Sequence, residues 1–299
     1  MISKGQENLI MFKMTLIAVM FITFSGCGDK SLEYYKSGLK YDSDGKHQEA
    51  ISAYNNSIKE NPKYADAYNA IGVSYSYLGD KVFIENSNDY NNPERLKKIK
   101  LKFDYYENAI INFSKSISIQ GKSITYYNMG KTYLTVLGLI KDDYHQEVGG
   151  HQEMFNYKFD YEAYRKKAIE AFKNSISSDK NSEYAKNSIE EILNIKKERI
   201  KTIQIILDTD KSVKEAQWWG ALTSLNRSTF KGMAKELSDE IISDMAFIVK
   251  YCDRDDIKIE LCEFYIATKN SVAARSLLAS IKDSENKNRL EIAVNKMLQ

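Results

Sequence analysis

Three times in this chain a tyrosine is followed four residues later by a glycine and three residues after that by a second tyrosine: Tyr34, Gly38 and Tyr41; Tyr68, Gly72 and Tyr75; Tyr126, Gly130 and Tyr133. Spacings of four and three put the residues of each trio on one face of an α-helix. A glycine inside an otherwise aromatic stripe leaves a notch where a second helix can approach closely. In the first copy Ala50 follows Tyr41 by nine residues, Tyr54 follows Ala50 by four and Pro62 follows Tyr54 by eight. A second helix therefore carries Ala50 into the crossing, and Tyr34, Tyr41 and Tyr54 fill the space around it. Asp44-Gly45-Lys46 supplies the turn between the two helices, and Asn61-Pro62 stops the second. Gly72 lies 34 residues after Gly38. A chain with this unit must stack helix pairs, because one pair cannot bury its own apolar face.

Composition agrees with an all-α chain. Only 2 prolines and 14 glycines punctuate 299 residues, too few for the many turns of a sandwich, barrel or doubly wound sheet. Hydrophobic residues at 43% and charged residues at 28% are ordinary for a globular chain long enough to bury a sizeable core. The 43 basic and 41 acidic residues leave a net charge of +2, so the electrostatic footprint of a nucleic-acid binder is missing and no nucleic acid is expected as a partner. Three cysteines make no disulfide framework, and none has zinc spacing.

The 34-residue helix-turn-helix grammar, in which an aromatic, a small residue, a tyrosine, an alanine, a second aromatic and a proline recur in order, resembles the tetratricopeptide repeat, or TPR. The resemblance implies an elongated, almost wholly helical solenoid over about residues 27–181. A fourth, degenerate copy can be read at about 255–288, where Cys262, Tyr265, Ala274 and Leu278 keep the spacing while Lys258 replaces the leading aromatic and no proline closes the unit. On this reading Cys262 takes the small-residue site. That favours free, buried thiols at Cys252 and Cys262 over the disulfide that their ten-residue separation would permit. The remainder, 182–299, reads as a C-terminal helical subdomain with one amphipathic stretch from Ser182 to Leu207 and another from Val213 to Leu225. The adjacent pair Trp218-Trp219 cannot share one helix face and reads as core and boundary.

Repeats two and three carry insertions, at about 80–104 and 139–164. Ala109 lies 34 residues after Tyr75, and Ala168 lies 35 after Tyr133, where the family has nine. Both insertions end in Lys-Phe-Asp-Tyr, at Lys102 to Tyr105 and at Lys158 to Tyr161. They read as N-terminal extensions of each repeat's second helix, stacked on one another, with two unrelated surface loops as the alternative.

Before the repeats, Lys4 and Lys13 precede an uncharged stretch from Met14 to Gly26, and polar sequence resumes at Gly28-Asp29-Lys30. Thirteen residues fall short of the ~20 that span a bilayer as a helix, so 1–26 reads as a secretory signal. It ends Phe24-Ser25-Gly26-Cys27, which resembles the lipobox of bacterial lipoproteins, although Phe24 stands where an aliphatic residue is usual. The resemblance implies lipidation of Cys27 by a thioether-linked diacylglycerol and an N-acyl chain, more than the two signals that stable anchoring takes. The expected location is the bacterial cell envelope, with the chain tethered to its membrane by the lipid anchor. The alternative is cleavage nearby with an incidental cysteine. Met1, Met11 and Met14 are all possible initiators. Removing Lys4, Lys13 and Glu7 leaves 41 basic and 40 acidic residues, a net charge of +1.

Motifs for chemistry are sparse. No GxSxG, HExxH, GxGxxG or EF-hand loop occurs, and Gly121-Lys122-Ser123 fails as a phosphate loop because Ser116 stands where the first glycine must be. No cofactor, metal or catalytic residue is assigned, and the chain is expected not to be an enzyme. His47 opens the first repeat's second helix and reads as solvated. His145 and His151 share the second insertion with Asp142, Asp143, Glu147 and Glu153 around Gly149-Gly150, in a loop without diagnostic metal spacing.

The family resemblance implies a protein or peptide partner in a concave groove lined by first helices. Carried over by position, the groove comprises Leu32, Tyr35, Leu39 and Asp42 from repeat one; Asp66, Asn69, Val73, Ser76 and Tyr77 from repeat two; and Ile124, Tyr127, Lys131, Leu134 and Thr135 from repeat three. Tyr35 and Leu39 stand where carboxylate-clamping relatives have lysine and asparagine, so an extended or helical apolar segment suits the groove better than a charged tail. The alternative is that Tyr35 and Tyr127 pack against neighbouring helices. The functional expectation is a membrane-tethered, non-catalytic scaffold, in the manner of lipoproteins that assist pilus or outer-membrane assembly. The competing class is an enzyme, or a small-ligand or metal-binding lipoprotein, with its site in the insertions or the C-terminal half.

Overall fold

The computed structural model describes residues 27–84, 92–144, 161–217 and 227–297, and the described chain is all-α, with eleven helices and no strand. None of these helices is long and apolar enough to cross a membrane. The signal segment, His145, His151, Trp218, Trp219 and the side chain of Cys27 lie outside the described residues. The chain divides into two compact units, Met1–Ser178 and Asp179–Gln299.

The first unit holds three helix pairs: α1 (Cys27–Ser43) with α2 (His47–Glu60), α3 (Ala65–Lys81) with α4 (Pro93–Ile119), and α5 (Ser123–Tyr144) with α6 (Tyr161–Ser178). The crossings are those the glycine stripe demands. A Cβ on Gly38 would lie 2.3 Å from the Tyr54 ring, one on Gly72 2.5 Å from Phe113, and one on Gly130 2.6 Å from Phe172. The three rings are at most 1% exposed, so each glycine is the notch that admits an aromatic knob. Between pairs, α2 packs on α3 and α4 on α5, while α1 touches α3 and α3 touches α5, so the first helices form a row.

A second recurring contact was not read from the sequence. Three residues after each crossing aromatic stands a buried serine. Its hydroxyl donates to the carbonyl of the residue three before the tyrosine that leads its repeat: Ser57 to Ser31 at 2.7 Å, Ser116 to Ala65 at 2.8 Å, Ser175 to Ser123 at 2.9 Å. Each bond ties the last turns of a second helix to the start of its partner and satisfies the serine within the core.

Repeat one ends its first helix with Gly45 at φ +72°, where the Lys46 N–H reaches the Tyr41 carbonyl and the Gly45 N–H that of Asp42. This pair of bonds is the Schellman arrangement, and a left-handed residue is its requirement. In repeat two the hairpin continues past the standard unit. Gly79 meets Tyr106, seven residues beyond the Gly72–Phe113 crossing on both helices, and α4 starts at Pro93 with Asn92 as its cap. Ile99, Phe103 and Tyr106 of this extension bury themselves with Val136 of α5, and Tyr164 of α6 packs against the same cluster. Lys102 to Tyr105 lie inside α4, whereas Lys158 to Asp160 fall outside the described residues.

One expected part of the core is different. Tyr54 is fully buried, but Tyr34 and Tyr41 remain 39% and 37% exposed. Their counterpart Tyr75 packs on a cluster shared by repeats one and two, Ala50, Ile51 and Tyr54 with Ala67, Ala70 and Ile71, and its ring lies 6.3 Å from Tyr105 of its own second helix. No described helix precedes α1 to do the same for Tyr34 and Tyr41.

The second unit comprises α7 (Glu183–Gln217), α8 (Arg227–Tyr251), α9 (Asp255–Ala267), α10 (Ser271–Leu278) and α11 (Ser284–Lys296). Where two stretches were expected on either side of residue 210, α7 runs unbroken, because Asp208 to Ser212 contains neither glycine nor proline to stop it. Cys262 and Ala274 are both fully buried, with the thiol directed at the Ala274 carbonyl at 3.7 Å. Lys269 at φ 59° ends α9 with the same two bonds as Gly45, from Asn270 to Tyr265 and from Lys269 to Ile266. Counting from the small residue of the crossing, Lys269 and Gly45 occupy the same place. Lys258 is buried in the aromatic's place, and its ammonium is neutralised by Asp253 and Asp255 and donates to the Ser280 carbonyl at 2.9 Å. Cys252 and Cys262 are both free; Cys262 is buried, and Cys252 is only half-buried. Burial raises both thiol pKa values.

Candidate functional site

The row of first helices is held together by polar side chains. Ser74 of α3 donates to both carboxylate oxygens of Asp42 on α1, at 2.9 and 2.8 Å. Asn128 of α5 donates to Asn69 of α3 at 3.3 Å, and Ser76 meets Thr132 at 3.2 Å. Lys122, one residue before α5, reaches Asp66 in the first turn of α3 at 2.6 Å. Hydrogen-bonded side chains along a helix row fix its register, so the surface above them is preorganised.

Of the positions carried over from the repeat, the apolar side chains left open on this surface are Leu32, Leu39 and Tyr77, which are 39%, 45% and 52% exposed. Lys131 is also exposed, while Asn69, Val73, Ile124, Leu134 and Thr135 are half-buried between helices. Tyr35 and Tyr127 form the margin of the core. The Tyr35 ring lies 5.6 Å from Tyr54 and 5.0 Å from Tyr64, and the Tyr127 ring lies 6.0 Å from Phe172. Burial, with a smaller effect from Asp66, pushes the Tyr35 hydroxyl up to about 12. Asp42 is occupied within the repeat: besides Ser74 it accepts from the Tyr54 hydroxyl at 2.8 Å and contacts His47 Nδ1 at 2.9 Å.

His47 corrects the expectation of a solvated residue. It is 7% exposed, and its ring stacks on Tyr77 with centroids 5.0 Å apart and planes 12° from parallel. The Gly45 turn folds the start of α2 back beside the end of α1, and this brings His47 to Asp42 while α3 places Tyr77 over the imidazole. Tyr77 is thus braced on one face by a ring that is itself held by the Asp42 carboxylate. The only sequence trace of this unit is an acidic residue five positions before a histidine across a helix turn.

Among the described residues no group of three or more His, Cys, Asp or Glu side chains is placed to hold a metal ion. The acidic loop with His145 and His151 lies outside them. In the second unit the buried cations are paired. Lys196 meets Glu260, and Arg199 meets Glu240 and, at 3.0 Å, Asp244. Such pairs hold α7 to α8 and α9 and leave their charges neutralised in place.

No protein-family model matches the chain, and no curated protein does. Among solved structures it aligns with the crystal structure of a thermophilic TPR protein of Thermus thermophilus, at 12% identity and a TM-score of 0.34, over 88% of this chain and 98% of that one. A superposition this loose adds nothing to what the chain's own geometry carries. By its glycine–aromatic crossings, its recurring turn and its row of first helices, the protein is all-α and TPR-like.

Proposed function

We propose that the protein is a non-catalytic scaffold of the bacterial envelope, lipid-anchored at Cys27, that docks an apolar segment of a protein partner across the row of α1, α3 and α5. The observation that carries the docking site is the open apolar surface of Leu32, Leu39 and Tyr77 above a floor fixed by Asp42, Ser74, Asn69 and Asn128. Exposed leucine and tyrosine on a preordered surface contribute contact area with little loss of side-chain freedom on binding. Tyr77, braced by His47, is the expected anchor in place of Tyr35. The lipid anchor rests on the short apolar stretch ending at Ser25-Gly26-Cys27.

The docking test is affinity crosslinking from envelope fractions with wild type, Leu39→Ala and Tyr77→Ala. A partner enriched by wild type and lost from both variants, at unchanged melting temperature, supports the site. Equal recovery by all three moves the interaction elsewhere. The anchor is tested by metabolic labelling with a fatty-acid analogue, which should mark wild type and not Cys27→Ser; equal labelling of both would refute it.

A further inference from the structure

The tyrosine stripe is half-buried in repeats two and three and open in repeat one. Lys30, Tyr34, Ser37 and Tyr41 follow at intervals of four, three and four and so share one face of α1, and all four are exposed. This face is distinct from the docking surface, which the same helix presents through Leu32 and Leu39. The tyrosines have an apolar ring and a polar tip, the character that places tyrosine at the boundary between hydrocarbon and water. Lys30 lies in the stripe, with Lys36 and Lys40 exposed on the same helix. Against Asp29 and Glu33 these three lysines leave an excess of one positive charge, since Asp42 is turned inward to Tyr54, Ser74 and His47.

The position of the helix relative to the anchor decides what this face meets. α1 begins at Cys27, the residue proposed for lipidation, with no linker between anchor and helix. At ~1.5 Å per residue, Tyr34 stands only ~10 Å and Tyr41 ~20 Å along the axis from the acyl chains. A bilayer that holds one end of α1 is therefore within reach of its whole stripe.

We propose that the membrane surface covers this stripe: α1 lies along the bilayer with Tyr34 and Tyr41 in the headgroup region, and Lys30 meets anionic lipid. This inference rests on the lipid anchor at Cys27. The anchored orientation leaves the Leu32–Leu39 face free for a partner, so anchoring and docking use separate sides of one helix.

The test uses the full acylated chain in vesicles of phosphatidylethanolamine and phosphatidylglycerol, with a photoreactive benzophenone amino acid in place of Ser37 or, as a control on the docking face, of Leu39. Mass spectrometry of the purified chain first establishes acylation at Cys27. The expected result is lipid adducts several-fold more abundant from position 37 than from position 39, reduced several-fold by Tyr34→Ser with Tyr41→Ser while acylation is unchanged. Equal lipid adducts at the two positions, or adducts at position 37 with a second copy of the chain, overturn the membrane-facing stripe and leave the anchor standing. An unacylated Cys27 overturns both.

Discussion

Two glycines on the same helix should respond to alanine in opposite directions. A Cβ at Gly130 would lie 2.6, 2.8 and 2.9 Å from three carbons of the Phe172 ring, which is fully buried and cannot withdraw. A Cβ at Gly138, eight residues further along α5, would meet nothing within 4 Å. Alanine in a helix interior is favoured over glycine by about 0.8–1 kcal/mol, and this gain applies at both sites. Overpacking at a filled crossing costs about 1–3 kcal/mol and applies only at Gly130. Gly138→Ala should therefore stabilise by roughly 1 kcal/mol, and Gly130→Ala should destabilise by up to roughly 2 kcal/mol. Because propensity cancels in the difference, the gap between the variants measures the crossing contact itself. Urea and thermal denaturation followed by far-UV circular dichroism reads it, at about 2–4 °C per kcal/mol for a unit of this size. Phe172→Leu should relieve much of the penalty, giving a double variant less destabilised than the sum of its parts. If Gly130→Ala melts as far above wild type as Gly138→Ala, the glycine–aromatic crossing is not what holds the pair together.

Gly38→Leu, Gly72→Leu and Gly130→Leu should each cost at least as much as the alanine change at Gly130, and unchanged denaturation midpoints for all three would show that the repeats are misaligned. Lys269→Gly should stabilise by about 1 kcal/mol, because the left-handed backbone that costs lysine is free for glycine; a lower urea midpoint would contradict this. Ser57→Ala, Ser116→Ala and Ser175→Ala should each cost about 0.5–1 kcal/mol and add in the triple variant, since they sit in separate repeats; a triple variant as stable as wild type would remove the serine bonds from the fold's energetics. The Tyr54 and Tyr106 hydroxyls are raised above the ordinary tyrosine value by burial first and then by donating to Asp42 and Asp80. Unfolded tyrosines ionise near pH ~10, so this stabilisation is complete below that value and is lost as pH rises through and above it. Ultraviolet titration should show some of the 21 tyrosines ionising only as helicity is lost, and ionisation of all of them with the helices intact would refute the assignment.

The periodic part of the protein is legible in its sequence. A glycine four residues after one tyrosine and three before another marks where a second helix crosses, and Gly38, Gly72 and Gly130 receive Tyr54, Phe113 and Phe172 there. The residues that pack by identity and spacing along one or two helices were legible because the spacing is local. The rest follows from the fold, where a side chain's surroundings come from elements distant in sequence. Tyr34 and Tyr41 carry the same pattern as Tyr68 and Tyr75, yet they stay exposed where the later pair is half-buried, because burial depends on surrounding helices that the pattern does not specify. His47 looked like a surface residue at a helix start, and became a buried brace because a turn brought Asp42 beside it and α3 laid Tyr77 on its ring, 30 residues further along the chain. Lys258 was visible as a misfit in an aromatic's place, but the carboxylates of Asp253 and Asp255 and the Ser280 carbonyl that let it be buried are assembled only by the fold. Hydrophobic stripes repeat because every pair must bury a face, whereas polar partners need meet only once, and that single meeting leaves no period to read.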